Sequence, residues 1–236
     1  MARHWYRPGA FAVLLTLAGL AVFISLGSWQ VRRGQEKARL FAAFDSMVDT
    51  APVPLDRARR EATPGSYQRV QVTGSYDPLH AYILDNQVRE GRSGIMLFDV
   101  FEPRDGSTPL LVNRGFLARD PQGTIPQVPA PPPGEQTLDA IYAPPPGIGL
   151  RLGGNALPGQ AGWPKTSIYL DIAEVGADLG RSLDPRVLLL EPAPGSPFVR
   201  EWRPGIFPPE RHWGYAATWY GFAALCLVLF AVRHWR

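Results

Sequence analysis

The sequence predicts a membrane-anchored α+β protein in which two transmembrane helices flank a β-rich, mainly antiparallel domain. Three observations lead to this fold class. Hydrophobic residues make up 45% of the 236 residues, but they are concentrated at the two ends of the chain. Each end contains an uncharged stretch long enough to cross a bilayer. Between the ends, apolar and polar residues alternate in short runs separated by turn residues, as they do in antiparallel strands.

The first uncharged stretch covers residues 9–29 and reads GAFAVLLTLAGLAVFISLGSW. As a helix, its 21 residues span about 31 Å, which matches the hydrocarbon core of a membrane. A cleaved signal peptide is the alternative, because basic residues precede the run and Ser25-Leu26-Gly27 is a passable cleavage site. We favour a retained helix, since the run is longer than a usual signal-peptide core and bulky Trp29 follows it.

The second stretch covers residues 214–232, GYAATWYGFAALCLVLFAV, and its 19 residues span about 28 Å as a helix. Aromatic residues stand where membrane interfaces are expected, and they are Trp5, Tyr6, Trp29, Trp213, Tyr215, Trp219, Tyr220 and Trp235. The predicted organisation is a tail (1–8), a first transmembrane helix (9–29), a β-rich domain (30–213), a second transmembrane helix (214–232) and a short tail (233–236). With two spans, both tails lie on the same side of the membrane.

The charges beside the helices leave the orientation open. Four arginines lie on the tail side, whereas seven basic residues lie on the domain side: Arg32, Arg33, Lys37, Arg39, Arg200, Arg203 and Arg211. Taken alone, this count favours a cytoplasmic domain. The domain is far longer than the roughly 60 residues over which the rule holds, so the rule does not decide.

The domain begins with a helix and continues as strands. From Leu40 to Met47, apolar residues recur at i, i+3, i+4 and i+7, so we expect the first helix to continue out of the membrane until Pro52 and Pro54 end it. Strands are predicted at 67–73, 81–84, 95–101, 110–113, 137–142, 166–170 and 187–190. A short helix is predicted over 172–179, and residues 121–134, with six prolines, are predicted to form an extended surface connection.

Composition and motifs exclude several classes of function. The 24 Lys and Arg residues nearly balance 21 Asp and Glu residues, which argues against a nucleic-acid-binding protein. The single cysteine, Cys226, rules out a disulfide framework and any Cys-x-x-Cys site. The motifs of common enzymes are missing, so we do not expect an enzyme, and we interpret lone carboxylates such as Asp85 and Asp99 as turn or surface residues. The glycines at 147–154 only loosely resemble a phosphate-binding loop.

Among the histidines, His212 is the candidate ligand. His4 and His234 lie at the outer helix ends as interfacial residues, and His80 follows a turn sequence and is expected to be solvated. His212 directly precedes the second span, and Tyr215 and Trp219 share its helix face at i+3 and i+7. These residues suit an axial haem ligand beside flat apolar walls, and they equally suit an ordinary aromatic belt at a membrane interface.

Four blocks of sequence resemble one known family, and they occur in that family's order. They are LGSWQVRRGQEK at 26–37, RVQVTGSYD at 69–77, LVNRGF at 111–116 and HWGYAATWY at 212–220. Together they resemble the Surfeit locus protein 1 family of cytochrome c oxidase assembly factors over nearly the whole chain. Two positions depart from the family pattern, since Phe116 replaces the usual Trp and Thr218 the usual Gln.

The resemblance implies a location and a role. Only eight residues precede the first span, too few for a mitochondrial transit peptide, which predicts a bacterial plasma-membrane protein. The resemblance implies cytoplasmic termini and an extracytoplasmic, periplasmic domain. It also implies an assembly factor without catalysis that binds haem a, with His212 as the iron ligand, and assists haem insertion into oxidase subunit I. Implied partners are subunit I, the haem a synthesis machinery and the lipid bilayer. The alternative is a cofactor-free membrane scaffold that stabilises subunit I. Arg114 either pairs with a haem propionate or lies at a strand end where Gly115 permits a bulge.

Overall fold

Two long helices lie at the ends of the chain in the computed structural model, which describes residues 5–148, 156–205 and 207–235. They are α1 (Ala10–Val48) and α4 (Pro209–His234). Both are long and apolar enough to cross a membrane, by length and composition. Within the apolar 18-residue segment of each helix, only 6% of the residues of α1 and 11% of those of α4 are buried. The core helix of a soluble protein would be mostly buried. Arg3, His4, Arg236 and the glycines at 149 and 153–154 lie outside the described residues.

The chain forms two compact units, residues 1–42 with 203–236 and residues 43–202. Within the first unit, α1 and α4 pack side by side and run antiparallel. At one end, the amide of Tyr6 donates to the carbonyl of His234 at 2.9 Å. At the other end, Gly34 of α1 lies against the indole of Trp213. Tyr6 and His234 therefore lie at the same end of the helix pair.

A cysteine pair can test this packing. An ideal Cβ built on Gly19 lies 3.5 Å from Cys226 Sγ, close to the separation that a disulfide needs. We expect Gly19→Cys to form an intramolecular disulfide with Cys226 on mild oxidation, seen as a faster-migrating monomer on a non-reducing gel. Leu17→Cys is the matched control, since that side chain points outward and is 57% exposed. Equal cross-linking of both variants would contradict the packing.

The second unit is built on a seven-stranded sheet. The strands are β1 (Val53–Pro54), β2 (Gln68–Arg89), β3 (Arg92–Pro103), β4 (Leu110–Ala118), β5 (Glu135–Ala143), β6 (Lys165–Ser167) and β7 (Val187–Leu190). The strand order is β1-β2-β3-β4-β7-β5, and β5 pairs back onto β2, so that five strands close into a ring. Closure leaves these five strands without a free edge, while β1 and β6 add short parallel pairings to β2.

The sheet carries an apolar cluster on each face, because neighbouring residues of a strand point to opposite sides. In β4, Leu111 belongs to one cluster, whereas Leu110 and Val112 belong to the other. The first cluster is covered by Phe44 and Met47 of α1 and by α3 (Ile172–Leu179), and the second by α2 (Leu55–Glu61). The single-turn 3₁₀ helix at Leu157–Gly159 also packs on the first cluster.

Several sequence predictions are confirmed. The first helix continues to Val48, and its predicted apolar residues Phe44 and Met47 are both buried. α3 spans the predicted residues, with the Asp171 side chain accepting from the amides of Ala173 and Glu174 and with Gly180 in the left-handed conformation. Residues 121–134 contain no regular secondary structure.

The sheet is mainly antiparallel, as predicted, although it is mixed: the described strands form four antiparallel pairings and three short parallel ones. Other predictions need correction. The segments predicted at 67–73 and 81–84 belong to one 22-residue strand, β2, whose register shifts between Tyr76 and Ala81. The strand predicted at 166–170 is limited to Lys165–Ser167. We did not predict α2, where Asp56 and Arg60 form an i,i+4 ion pair directly after the prolines.

Candidate functional site

The helix pair has a regular inner seam. In α1, a series of buried or half-buried residues recurs at alternating spacings of four and three: Thr16, Leu20, Phe23, Gly27, Gln30 and Gly34. In α4, the matching set is His212, Ala216, Trp219, Ala223, Cys226 and Phe230. This spacing is that of a coiled-coil seam, which keeps one stripe of each helix against its partner. His212 stands at the end of the seam where the apolar stretch of α4 begins.

His212 is paired with a polar residue across this seam. Its Nδ1 lies 2.8 Å from Oε1 of Gln30. An amide oxygen can only accept a hydrogen bond, so this contact corresponds to the tautomer in which Nδ1 carries the proton and Nε2 keeps a lone pair. In the described part of the chain, Nε2 has no hydrogen-bond partner. An imidazole with one nitrogen held by a protein acceptor and the other carrying a lone pair is suited to bind a metal centre.

Two glycines let the helices approach at this end of the seam. A Cβ on Gly34 would lie 2.5 Å from Nε1 of Trp213 and 3.4 Å from Cβ of His212. A Cβ on Gly27 would lie 2.7 Å from the ring of Tyr220, whose hydroxyl is 3.1 Å from Oγ of Ser28. Contacts below 3.0 Å are not tolerated by real Cβ atoms, so the absence of side chains at these positions sets the helix separation.

The aromatic residues predicted beside His212 have different surroundings. Trp219 stacks on Phe23 of α1, with ring centroids 6.0 Å apart, and is part of the seam. Tyr215 points away from α1 and is 59% exposed. Trp213, next to His212 in the chain, is also partly exposed. His212 is therefore bordered by one packed aromatic residue along the seam and by exposed aromatic surface on either side.

Arg114 belongs to the other unit, where it is buried in β4. A register shift in the β3–β4 pairing leaves Arg114 unopposed between Asn113 and Gly115, whose φ is +122°. This is the predicted bulge, although it falls inside the strand and not at its end. A bulge redirects a side chain, and here it turns the guanidinium toward the carboxylate of Asp99, with Nη1 at 3.2 Å from Oδ2.

The guanidinium of Arg114 is fully engaged within its own unit. Besides Asp99, it donates to the carbonyls of Pro129 at 2.6 Å and Ala130 at 3.4 Å, and it stacks over the ring of Phe198 at 4.7 Å. The surface position expected for Asp99 is wrong, since this residue is 1% exposed. Burial raises the pKa of Asp99 to about 6, although the nearby Arg114 opposes the rise.

His80 is another histidine that the structure places differently from the sequence. It lies in β2 at the register shift and not in a solvated turn. Its Nδ1 is 2.6 Å from the carboxylate of Asp77, and its ring meets that of Trp163 at 4.6 Å between centroids. Although partial burial opposes it, the hydrogen bonds from His80 and from the amide of Leu79 lower the pKa of Asp77. The Nδ1 of His234, a residue expected at the membrane interface, donates a hydrogen bond to the carbonyl of Phe230.

Gln30 is the site residue that the sequence reasoning missed. In the sequence it stands within the helix-exit block at 26–37, without a role of its own. The signal was nevertheless present, because Gly27, Gln30 and Gly34 stand at i, i+3 and i+7 and therefore share one face of α1. A polar residue between two small ones on an inner face indicates a position that meets a polar partner.

Comparison with known proteins then fixes the family. The family model described as the SURF1 family matches residues 17–224. This chain belongs to the SURF1 family. The match runs from α1, through the whole β-rich domain, into the second half of α4, so that both units contribute to the family pattern. The family predicted by resemblance is thereby confirmed.

Three individual SURF1-family relatives match over shorter segments than the family model. Surfeit locus protein 1 of Rattus norvegicus is 34% identical over 113 residues, which cover 42% of this chain and 37% of that protein. The cytochrome oxidase assembly protein SHY1 of Saccharomyces cerevisiae is 29% identical over 100 residues, 40% of this chain and 25% of that protein. An uncharacterized SURF1-like protein of Mycobacterium bovis is 28% identical over 142 residues, 57% of this chain and 51% of that protein. The matched segments thus span between a quarter and about half of these three relatives.

Proposed function

We propose that this SURF1-family chain is an assembly factor for cytochrome c oxidase that binds haem a and assists its insertion into subunit I. Family membership supports the assembly role, since a yeast relative carries it in its name. The observation that carries the haem proposal is the imidazole of His212, oriented through Nδ1 by Gln30 and with a lone pair on Nε2. In this reading the haem is cargo, and the chain performs no chemical step.

The chemistry around His212 fits a haem. A neutral imidazole is a common axial ligand of haem iron, and the macrocycle needs apolar surface on its faces. Trp213 and Tyr215, on either side of the histidine, offer such surface and are both exposed. The bound haem would supply the iron, while His212 would hold it and the aromatic residues would shield it from water.

Arg114 does not fit the role of a propionate partner. Its guanidinium already donates to Asp99 and to two backbone carbonyls, and it lies over the ring of Phe198. Pairing with a propionate would leave the buried carboxylate of Asp99 without its cation, which is costly. The proposed haem site therefore consists of His212 with Trp213, Tyr215 and Trp219, and it omits Arg114.

The proposed location is the bacterial plasma membrane, with both helices spanning it and the β-rich domain in the periplasm. Support comes from the length of the two helices and from apolar side chains that remain exposed along both of them. These exposed residues would contact lipid and, in part, oxidase subunit I. The haem a synthesis machinery is the proposed source of the cargo, since haem a must be handed over by the enzymes that make it.

A cofactor-free scaffold is the second candidate. It is favoured by the exposed apolar faces of α1 and α4, which need only another membrane helix as partner. It assigns no role to the oriented imidazole of His212. The two candidates therefore differ in what a change at His212 does.

Substitution of His212 distinguishes the haem-binding assembly factor from the cofactor-free scaffold. We expect full-length protein purified in detergent from cells making haem a to show a haem absorption band that is lost in His212→Ala. His80→Ala is the matched control and should leave the band unchanged, because His80 is also held through Nδ1, in its case by the carboxylate of Asp77, but lies in the β-rich unit. A colourless wild-type protein would refute haem binding. Normal oxidase assembly with His212→Ala would favour the scaffold.

A further inference from the structure

We propose that Gln30 is a positioning residue for His212: its amide oxygen fixes the imidazole in the form whose Nε2 can bind iron. This inference rests on the proposed function for its relevance to haem, but its structural content concerns the haem-free protein. The observation behind it is the 2.8 Å contact between Nδ1 of His212 and Oε1 of Gln30, two residues 182 positions apart in the chain.

The tautomer matters because the two nitrogens of a neutral imidazole have opposite roles. One nitrogen carries the proton and donates, while the other carries a lone pair and accepts or binds a metal. Which nitrogen is protonated depends on the hydrogen bond that the other makes. By accepting from Nδ1, Gln30 reserves the lone pair for Nε2 and also fixes the plane of the ring.

The choice of an amide in place of a carboxylate suits the position of residue 30. Gln30 directly follows the uncharged stretch that ends at Trp29, and it is partly buried against α4. A charged acceptor there would lose much of its hydration, at a large cost in free energy. A neutral amide holds the imidazole without that cost. A neutral amide also attracts the Nδ1 proton less strongly than a carboxylate would. The imidazole is therefore a weaker electron donor toward a bound metal.

Gln30 is held in place by the helix seam. It stands between Gly27 and Gly34 on the inner face of α1, and both glycines allow rings of α4 to contact the helix backbone. Gly34, one helical turn after Gln30, lies close to the Cβ of His212, so the two side chains meet across the helix pair. The acceptor is therefore fixed by helix packing, which is the arrangement that gives an oriented ligand.

His80 provides an internal comparison for the hydrogen bond of His212. His80 is likewise held through Nδ1, but by the carboxylate of Asp77 at 2.6 Å, and it lies in the β-rich unit. Both histidines should therefore show the same protonated nitrogen in the wild-type protein. A change at residue 30 should affect His212 alone.

The tautomer can be measured without any haem. Full-length protein labelled with ¹⁵N-histidine and made in cells lacking haem a is studied by NMR in detergent at a pH where the rings are neutral. We expect His212 to show a protonated Nδ1 and an unprotonated Nε2. In Gln30→Leu, the His212 signals should shift toward a mixture of tautomers, whereas Gln30→Glu should restore the wild-type pattern. Gln35→Leu, an exposed position in the next turn, is the matched control and should change nothing.

The haem measurements form a second arm. We expect Gln30→Leu to weaken haem binding on the order of 10–100-fold, as loss of a hydrogen bond to a metal-bound histidine commonly does. Gln30→Glu should bind haem but lower its midpoint potential, because a carboxylate makes the imidazole a stronger donor. A wild-type His212 protonated at Nε2, or a His212 tautomer unchanged in Gln30→Leu, would overturn the role of Gln30. If the wild-type protein binds no haem while the tautomer responds as expected, the proposed function fails and the hydrogen bond stands.

Discussion

Replacing Arg114 with methionine is expected to lower the free energy of unfolding of the β-rich unit by about 3–5 kcal/mol near pH 8. The variant keeps most of the side-chain volume but removes the cation that faces Asp99 in the folded state. Asp99 is 1% exposed, so its carboxylate would be left buried and unpaired. Two backbone carbonyls would lose their donor as well. Urea unfolding of the full-length protein in detergent, followed by domain tryptophan fluorescence or circular dichroism, measures the effect.

The destabilisation caused by Arg114→Met should depend on pH, because the protonation of Asp99 does. An ordinary aspartate has a pKa of about 3.9, whereas burial raises the folded-state pKa of Asp99 to about 6 even with Arg114 present. Because the folded state binds this proton more tightly than the unfolded state, Asp99 favours folding increasingly as the pH falls through 6 toward 4. Without Arg114 the folded-state pKa rises further. The destabilisation of Arg114→Met should therefore be smaller at pH 5 than at pH 8.

Two further variants control for volume and charge. Arg104→Met removes an exposed arginine 3.5 Å from Glu135 and should change the free energy of unfolding by less than about 1 kcal/mol. Combining Arg114→Met with Asp99→Leu removes both charges and should recover part of the lost stability. If Arg114→Met were as stable as the wild-type protein at pH 8, the buried ion pair would have no structural role.

Gly34→Leu is expected to have the largest effect on the helix pair. A Cβ at residue 34 already lies 2.5 Å from Nε1 of Trp213 and 3.4 Å from Cβ of His212, so a leucine must displace the Trp213 ring and push against His212 at the start of α4. Overpacking of this kind costs about 1–3 kcal/mol in well-packed cores. The displacement should separate His212 from Gln30 and thereby weaken haem binding at least as strongly as Gln30→Leu. Haem titration of the detergent-purified protein measures it.

Gly221→Leu is the matched control, because no atom lies within 4 Å of a Cβ at that position of α4. It should leave both haem binding and the His212 tautomer unchanged. The β-rich unit should unfold at the wild-type urea concentration in both glycine variants, because Gly34 and Gly221 belong to the other unit. Wild-type haem binding by Gly34→Leu would show that close contact at Gly34 does not position the histidine.

The sequence was sufficient wherever local chemistry decides the structure. Length and the lack of charge marked α1 and α4, and Asp171 with Gly180 marked both ends of α3. Helix α2 follows Pro54, because proline ends a preceding helix but also fits directly before a new one. Opposite charges four residues apart, Asp56 with Arg60 and Arg57 with Glu61, are the sequence signal for this helix.

Features that depend on distant contacts could not be predicted in the same way. Closure of the sheet depends on pairing residues 68–75 with 135–142, and no local pattern encodes that pairing. The polar character of Asp99 suggested exposure, because its partner Arg114 comes from another strand and is turned inward by a bulge. The roles of His212, Tyr215 and Trp219 in binding haem stay predictions, since they concern a ligand and not the fold.

The distance in sequence between Gln30 and His212 has a consequence for biogenesis. The ribosome completes the entire β-rich domain before it makes His212, so the hydrogen bond forms only when the last helix has joined the first. A nascent or truncated chain that lacks α4 has no His212 and therefore no oriented histidine. Under the proposed function, translation order would thereby keep an unfinished copy of this protein from capturing haem.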